Sequence, residues 1–186
     1  RLPAVKQFVD KHWASAATIY ESGAPPPNGS VGFLSDVSVS SIKWKRPTEI
    51  GDPAKPAVVF SGGIDPEDIK QGRLGDCYFL AALASCVAGD EDQLLRDLIV
   101  EDAADVGIYG VKFYVAGAWQ TVIVDDLFPC TRSAQTGHWE PLFAGLGGDG
   151  TEKELWPLVF EKAWAKLHGS YESIEGGETE DALQYL

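Results

Sequence analysis

Cys77 stands where a polar, glycine-punctuated stretch meets an apolar block, in the sequence QGRLGDCYFLAALASC that spans residues 71–86. Gly75 and Asp76 precede it, and no helix-breaking residue follows until Gly89. This pattern predicts a helix that begins at Cys77. The unpaired N–H groups and the dipole of a helix start favour an anion, so a thiol there can become a thiolate nucleophile. The alternative is structural, because cysteine also behaves as a small hydrophobic residue in cores.

Gln71 lies six residues before this cysteine. A loop of that length can fold back so that the side-chain amide of Gln71 and the backbone N–H of Cys77 face one point. Two such donors form an oxyanion hole, which stabilises the charge that develops during acyl transfer. Tyr78 adds an aromatic face directly after the cysteine. Together these residues predict thiol-dependent acyl transfer, with Cys77 as nucleophile and Gln71 as oxyanion donor.

The general base of such a reaction is not apparent in the sequence. A catalytic thiol of this kind needs a histidine and a group that orients it. The chain has three histidines, His12, His138 and His168, and its only asparagine is Asn28. We expect His168 to cap the C-terminus of a helix, and His12 to lie on the charged side of an N-terminal helix. The residues alone therefore do not identify the general base.

The pattern of apolar residues predicts an α+β domain. Helical spacing predicts five helices, at about residues 4–20, 77–88, 93–100, 154–167 and from 179 onward. Residues 107–125 instead alternate as in an antiparallel β-hairpin, with Ala116-Gly117 as its turn. The helix that starts at Cys77 is apolar on all sides and is expected at the centre of the core. Three tryptophans are also assigned to the core: Trp119, Trp156 and Trp164.

Composition excludes several kinds of partner and site. The chain has 28 acidic and 15 basic residues, a net charge of -13, so we expect it to repel nucleic acid and anionic lipid and to attract cations. No apolar run reaches the ~18 residues of a membrane span. The three cysteines have neither the even number of a disulfide framework nor the spacing of a zinc site. These features favour a reducing, cytoplasmic location.

Four separated blocks of the sequence resemble the calpains, the calcium-dependent papain-like cysteine proteases. The blocks are IKWKRPTEI, DIKQGRLGDCYFLAALAS, GIYGVKFYVAGAWQTVIVDDLFP and ELWPLVFEKAWAKLHGSYESIEGG. The resemblance corresponds to the first half of the calpain protease core. It implies a papain-like half-domain over residues 33–186, in which a small antiparallel sheet and flanking helices surround the nucleophile helix, and a helical arm and proline-rich linker over residues 1–32. The hairpin sequence VDDLFPC is most similar to membrane-linked plant and algal calpains.

Carried onto matching positions, the resemblance makes Cys77 the nucleophile and Gln71 the oxyanion donor. Tyr78 stands where the family usually has tryptophan, which keeps a flat apolar face and loses the indole N–H. In the family, the catalytic histidine and asparagine come from the second half of the core. The resemblance therefore implies that this chain does not hydrolyse peptides alone. The resemblance thus implies two partners, the second subdomain of the same full-length chain and protein or peptide substrates.

The resemblance also implies a calcium site without an EF-hand loop. The first half of the calpain core binds Ca²⁺ through two backbone carbonyls and two carboxylates, which correspond here to Ser61 and Gly63, and to Asp68 and Glu154. Oxygen ligands of this mix suit calcium. The residue types alone favour an ordinary solvated loop acid and an acid at a helix N-terminus, and the resemblance reverses that preference. Pro66 replaces an arginine that links the two halves of the family's core, so coupling between two calcium sites is not implied.

Two functions are consistent with these features. The first is the nucleophile-bearing half of a calcium-dependent intracellular cysteine endopeptidase. The second is a calcium-responsive regulatory or binding module of a calpain-like protein whose other half lacks a working histidine, since non-peptidase relatives of this kind exist in the family. The presence of both Cys77 and Gln71 favours the first.

Overall fold

The computed structural model describes residues 7–11, 13, 15, 18–24, 34–88, 93–148 and 150–186. Short helices and strands alternate along this part of the chain. In chain order they are β1 (Lys43–Lys45), β2 (Ala57–Val58), α1 (Cys77–Val87), α2 (Gln93–Leu98), β3 (Ile99–Ala103), β4 (Ile108–Val115), β5 (Ala118–Asp125), β6 (Phe128–Arg132), β7 (Trp139–Pro141), β8 (Lys153–Glu154), α3 (Trp156–His168) and α4 (Thr179–Leu183). The mixture is the α+β class expected from the sequence.

Helix α1 forms the centre of the core and begins at Cys77, as the sequence predicts. It packs against α2, α3 and α4, so its apolar side chains are covered from several directions. Phe79 lies fully buried and stacks on Trp164 of α3, with ring centroids 4.6 Å apart and planes 3° from parallel. Burial of aromatic side chains of this size is the main contribution to the stability of such a core.

The predicted hairpin is confirmed as strands β4 and β5, and β3 adds a third antiparallel strand. Ala116 and Gly117 form its two-residue turn with φ of 50° and 86°, as in the type I′ turns whose twist matches a hairpin. The assignment of Trp119 to the core was wrong, because its side chain is 52% exposed. It lies on the outer face of the sheet, where it contacts Tyr114 edge-on and Lys112 covers its ring.

Two smaller sheets join parts of the chain that are far apart in sequence. Strands β1, β6 and β7 form an antiparallel sheet, and β2 pairs with β8 in parallel. The parallel pair aligns Ala57 with Lys153 and Val58 with Glu154. The sequence predicts mostly extended coil for residues 44–63 and does not predict this pairing. Its consequence is that the loop after β2 lies beside the start of α3.

The N-terminal helix expected over residues 4–20 is wrong for the residues that the structure describes there, none of which is α-helical. The backbone N–H of Phe8 donates to the Val106 carbonyl at 2.8 Å, and that of Asp10 donates to the Asp125 carboxylate at 2.7 Å. These backbone groups bond to the domain rather than to a helix. Residues 1–6 and 25–33, with most of the proline-rich linker, lie outside the described residues.

Helix α3 carries a buried ion pair that sequence analysis missed. It starts with Pro157 in its first turn and is followed by Gly169 at φ 106°, the usual asymmetry of helix ends. Lys162 is completely buried, and burial lowers the pKa of its ammonium group. The ammonium donates to the carboxylate of Asp125 and, at 2.6 Å, to the carbonyl of Leu127. This pair joins α3 to the end of β5.

Candidate active site

Cys77 is the exposed thiol of the domain, whereas Cys86 and Cys130 are buried. The carbonyl of Asp76 accepts the first helical hydrogen bonds of α1, from the N–H groups of Phe79 at 2.9 Å and Leu80 at 3.1 Å. The sulfur therefore lies in the first turn, where the N–H groups of the helix start surround it. A thiol in this position is accessible to a substrate and can react as a nucleophile.

The loop that carries Gln71 is held by the segment 142–145. The N–H of Gly145 donates to the Lys70 carbonyl at 2.7 Å, and that of Arg73 donates to Leu142 at 3.1 Å. At Gly72 a Cβ atom would lie 1.8 Å from the carbonyl oxygen of Phe143, so only glycine permits this approach. The backbone of the loop is thus fixed on both sides of Gln71.

The side chain of Gln71 is exposed and partly engaged within its own loop. Its amide nitrogen donates to the carbonyl of Leu74 at 2.9 Å. A primary amide has two N–H groups. The bond to Leu74 orients the amide, and the second N–H can donate to an oxyanion. The role predicted for Gln71 stays a prediction.

Tyr78 is hydrogen-bonded to helix α3 through its hydroxyl group. Its hydroxyl accepts a bond from the indole N–H of Trp164 at 3.1 Å, and burial raises the pKa of the phenol. The ring also lies against Gly177, where a Cβ atom would come within 2.6 Å of it. The N–H of Gly176 donates to the Gly75 carbonyl at 2.8 Å. Residues 176–177 therefore form one border of the surface around Cys77.

Neither described histidine hydrogen-bonds to Cys77. The Nδ1 atom of His168 lies 3.0 Å from the Trp164 carbonyl, at the end of α3, which is the capping position expected from the sequence. His138 is exposed in a turn, and its backbone N–H donates to the Thr136 hydroxyl. His12 lies outside the described residues. The described residues therefore present an exposed thiol beside the loop of Gln71, with neither described histidine bonded to that thiol.

The four residues expected to bind calcium all line one open cavity of about 490 Å³. Asp68 lies in a single 3₁₀ turn, Pro66–Asp68, and Glu154 ends β8 beside the loop after β2. The remaining lining residues are Gly62, Asp65, Glu67, Lys70 and Gly148. The parallel pairing of β2 with β8 is what brings the loop and Glu154 together. Gly148 belongs to the sequence GLGGDG at residues 145–150, and sequence analysis did not predict its place in the cavity because this segment has no periodic signal.

Within this cavity the carboxylates of Asp68 and Glu154 face each other. Glu154 accepts the N–H of Ser61 at 2.5 Å, and Asp68 accepts that of Gly148 at 2.9 Å. Burial, together with the charge of Asp68, raises the pKa of Glu154. A Cβ atom at Gly147 would lie 3.0 Å from the Cβ of Asp68 and 3.3 Å from that of Glu154. The backbone at Gly147 therefore packs so closely against both acids that a larger side chain would not fit.

This donor set fits a hard cation. Two facing carboxylates repel one another, and a divalent ion between them would offset that repulsion. Among the described residues there is no group of three or more His, Cys, Asp or Glu side chains arranged to hold a metal. The set expected here has two such side chains and takes its other ligands from the backbone.

A buried carboxyl pair directly behind Cys77 was also missed. Asp76 and Glu161 are 1% and 3% exposed. Burial raises the pKa of Asp76 to about 6, and burial with the nearby charge of Asp76 raises the pKa of Glu161 well above its ordinary value. An aspartate before a helix resembles an ordinary N-cap. No pattern in the sequence distinguishes this one.

Comparison with known proteins agrees with this geometry. The family described as "Calpain family cysteine protease" matches residues 22–186. The chain belongs to the calpain family. The match includes α1 with Cys77, the Gln71 loop, the acidic cavity and all of α3.

The relatives of this calpain-family chain include plant and animal proteins. It is 37% identical over 187 aligned positions to the calpain-type cysteine protease DEK1 of Arabidopsis thaliana, covering 96% of the chain and 8% of that protein. It is 40% identical over 144 positions to DEK1 of Zea mays, covering 76% of the chain and 6% of that protein. The calpain-2 catalytic subunit of Bos taurus is 35% identical over 182 positions, covering 94% of the chain and 24% of that protein. The chain therefore spans a small part of the relatives that it matches. None of the described helices is both long and apolar enough to cross a membrane.

Proposed function

We propose that this chain is the nucleophile-bearing half of a calcium-dependent cysteine endopeptidase. The observation that carries the proposal is the placement of Cys77, an exposed thiol in the first turn of a buried helix, after a loop that is fixed on both sides of Gln71. This arrangement supports acyl transfer to sulfur. Family membership favours peptide bonds of proteins as the substrate.

In the proposed reaction, the thiolate of Cys77 attacks the scissile carbonyl carbon and the carbonyl π electrons move to oxygen. The backbone N–H of Cys77 and the free amide N–H of Gln71 donate to that oxyanion. A histidine supplied by a second subdomain takes the thiol proton and returns it to the leaving amine. Because this base is expected from elsewhere, we propose that the chain is inactive alone.

Calcium is proposed to bind in the acidic cavity through the carbonyls of Ser61 and Gly63 and the carboxylates of Asp68 and Glu154. When bound, the ion would supply positive charge between the two carboxylates. Asp68 joins the loop of Gln71 to this cavity, since only a few residues separate them. The cavity and the nucleophile are thus connected by one short loop.

The catalytic role is tested by Cys77→Ala in the full-length protein. We expect proteolysis of an unfolded protein substrate to be lost, and Cys86→Ala, which changes a buried thiol of the same helix, to retain it. If Cys77→Ala left proteolysis intact, the proposal would fail. If the wild-type protein had no proteolytic activity in calcium but still bound it, the regulatory module would be favoured instead.

The calcium role is tested by thermal unfolding of the 186-residue chain. A ligand at 100 times its Kd stabilises by about 2.7 kcal/mol, which raises Tm by roughly 5–10 °C for a domain of this size. Asp68→Ala should abolish the shift, whereas Glu101→Gln, an exposed acid on β3, should retain it. An unchanged Tm in millimolar calcium, or a shift that Asp68→Ala retains, would contradict the proposed site.

A further inference from the structure

The carboxyl groups of Asp76 and Glu161 face each other in the interior. Neither carboxylate oxygen of Asp76 accepts a hydrogen bond from an N–H or hydroxyl group of the described residues. The Glu161 carboxyl lies within hydrogen-bonding reach of Asp76, and its other contact is the backbone N–H of Ala144, which donates to Glu161 at 2.8 Å. Two ionised carboxylates cannot bond to each other, because both only accept. A proton on one of them turns the repulsive contact into a hydrogen bond.

These contacts connect the two donors of the proposed oxyanion hole. Asp76 precedes Cys77, whose backbone N–H is one donor. Ala144 lies in the segment 142–145, which holds the loop of the other donor, Gln71, through the bonds to Lys70 and Arg73. Glu161, on the buried helix α3, contacts both Asp76 and the backbone of Ala144.

We propose that Asp76 and Glu161 share one proton, and that this acid–carboxylate pair is a positioning element that sets the Cys77 N–H and the Gln71 loop at a fixed separation. The positioning part rests on the proposed function, whereas the shared proton does not. Glu161 is the donor, because its other oxygen already accepts the Ala144 N–H, and Asp76 is the acceptor. The pair then carries a single negative charge behind the nucleophile.

Two other titratable groups face the pair. Tyr171 packs against it from the segment after α3, and Tyr78 faces Asp76 from α1. Burial raises the pKa of both phenols, so both stay neutral when the pair holds one proton. No described lysine or arginine faces either carboxyl group. Protonation of one of them is therefore what relieves the repulsion between the two.

The shared proton is tested by infrared spectroscopy of the 186-residue chain. We expect a C=O stretch of a protonated carboxyl group at neutral pH that disappears in Glu161→Gln, which removes the protonated acid, and that shifts in frequency in Asp76→Asn, which replaces the carboxylate acceptor. Asp126→Asn, at another buried acid, should leave this band in place. A wild-type spectrum without such a band, or a band that is unchanged in both variants of the pair, would overturn the proposal.

Positioning is tested by comparing two substitutions at Glu161 in the full-length protein. Glu161→Gln keeps an acceptor for Ala144 and supplies an N–H donor to Asp76, whereas Glu161→Leu has similar volume and makes neither bond. Misplacement of reacting groups by about 1 Å costs about 100-fold in rate. We therefore expect kcat to fall about 100-fold in Glu161→Leu with KM unchanged, and to recover to within a few-fold of wild type in Glu161→Gln.

Equal kcat values for the two folded variants would refute the positioning role. If Glu161→Leu fails to fold, Asp76→Asn takes its place: it can donate to Glu161, so it should resemble Glu161→Gln, and a 100-fold loss of kcat would count against the proposal. The rate of Cys77 alkylation by iodoacetamide gives the same comparison without proteolysis. It therefore separates failure of the pair from failure of the proposed protease function.

Discussion

Replacing Asp76 with asparagine should change how stability depends on pH. The pKa of Asp76 is raised from 3.8 to about 6, chiefly by burial. The folded state therefore holds this proton more tightly than the unfolded chain does. The resulting contribution to the free energy of unfolding is fully present below pH 3.8 and is lost as the pH rises through about 6. Asp76→Asn has no such proton to lose.

The size of the effect follows from the shift. Each pKa unit corresponds to about 1.4 kcal/mol, so the wild type should lose on the order of 3 kcal/mol relative to Asp76→Asn between pH 4 and pH 7. The helix cap is not a confounding factor, since the Asp76 side chain makes no capping bond and asparagine is an equally good cap. The variant should thus gain relative stability as the pH rises.

The assay is urea unfolding of the 186-residue chain at several pH values between 4 and 8, followed by circular dichroism. Asp97→Asn, at an exposed acid on α2, is the matched control. Its free energy of unfolding should change with pH in the same way as that of the wild type. If the free energy of unfolding changed with pH equally in the wild type and in Asp76→Asn, the reasoning would be refuted. Such a result would mean that this carboxyl group is not preferentially protonated in the folded state. A difference of opposite sign would mean that a cation pairs with it.

Three further substitutions test the fold around the site. Gly72→Ala should displace the Gln71 loop, because its Cβ would lie 1.8 Å from the Phe143 carbonyl oxygen; we expect a lower Tm and slower alkylation of the exposed thiol. Ala116→Asn should raise Tm by about 2–4 °C, since asparagine tolerates a φ of 50° and a gain of about 1 kcal/mol has that effect in a domain of this size. Lys162→Met should cost about 3–5 kcal/mol in urea unfolding, because it leaves a buried carboxylate without its cation. Lys166→Met, one turn further along α3 and partly exposed, should cost about 1 kcal/mol or less.

Each of these predictions has a control that changes the same residue type in another environment. For Gly72 the control is Gly63→Ala, whose Cβ would meet no atom within 4 Å and which should leave Tm nearly unchanged. For Ala116 it is Ala118→Asn in the adjoining strand, which should not stabilise. Equal effects at a test site and its control would mean that the local geometry described here does not determine the outcome.

The sequence predicts the elements with strong local patterns. Apolar spacing, together with residues that favour helix ends and turns, predicts the start of α1 at Cys77, the hairpin turn at Ala116-Gly117 and helix α3. The offset between Gln71 and Cys77 is equally local, so the candidate site could be proposed before the fold was known. Periodicity misleads at residues 7–11, where the helical spacing is present but the backbone groups bond to the domain.

Features that depend on distant pairing could not be predicted. The strands β2 and β8 have two residues each, too few for a periodic signal, and they pair across most of the domain. Asp76 and Glu161 each resemble an ordinary helix acid in sequence, and only the packing of α1 on α3 buries them together. Trp119 looks like a core residue by type, yet residues 118–121 of its strand are all exposed, on both faces of the sheet.

The parallel pairing of β2 with β8 also constrains the order in which the domain can form during synthesis. Ser61 and Glu154, which it brings together, are 93 residues apart. At about 5–20 residues per second, a ribosome needs roughly 5–20 s to proceed from one to the other. For most of that interval α1 has been synthesised, but Glu154 and the helix that buries Asp76 do not yet exist. The nascent chain thus exposes the Cys77 thiol well before the surrounding site can close.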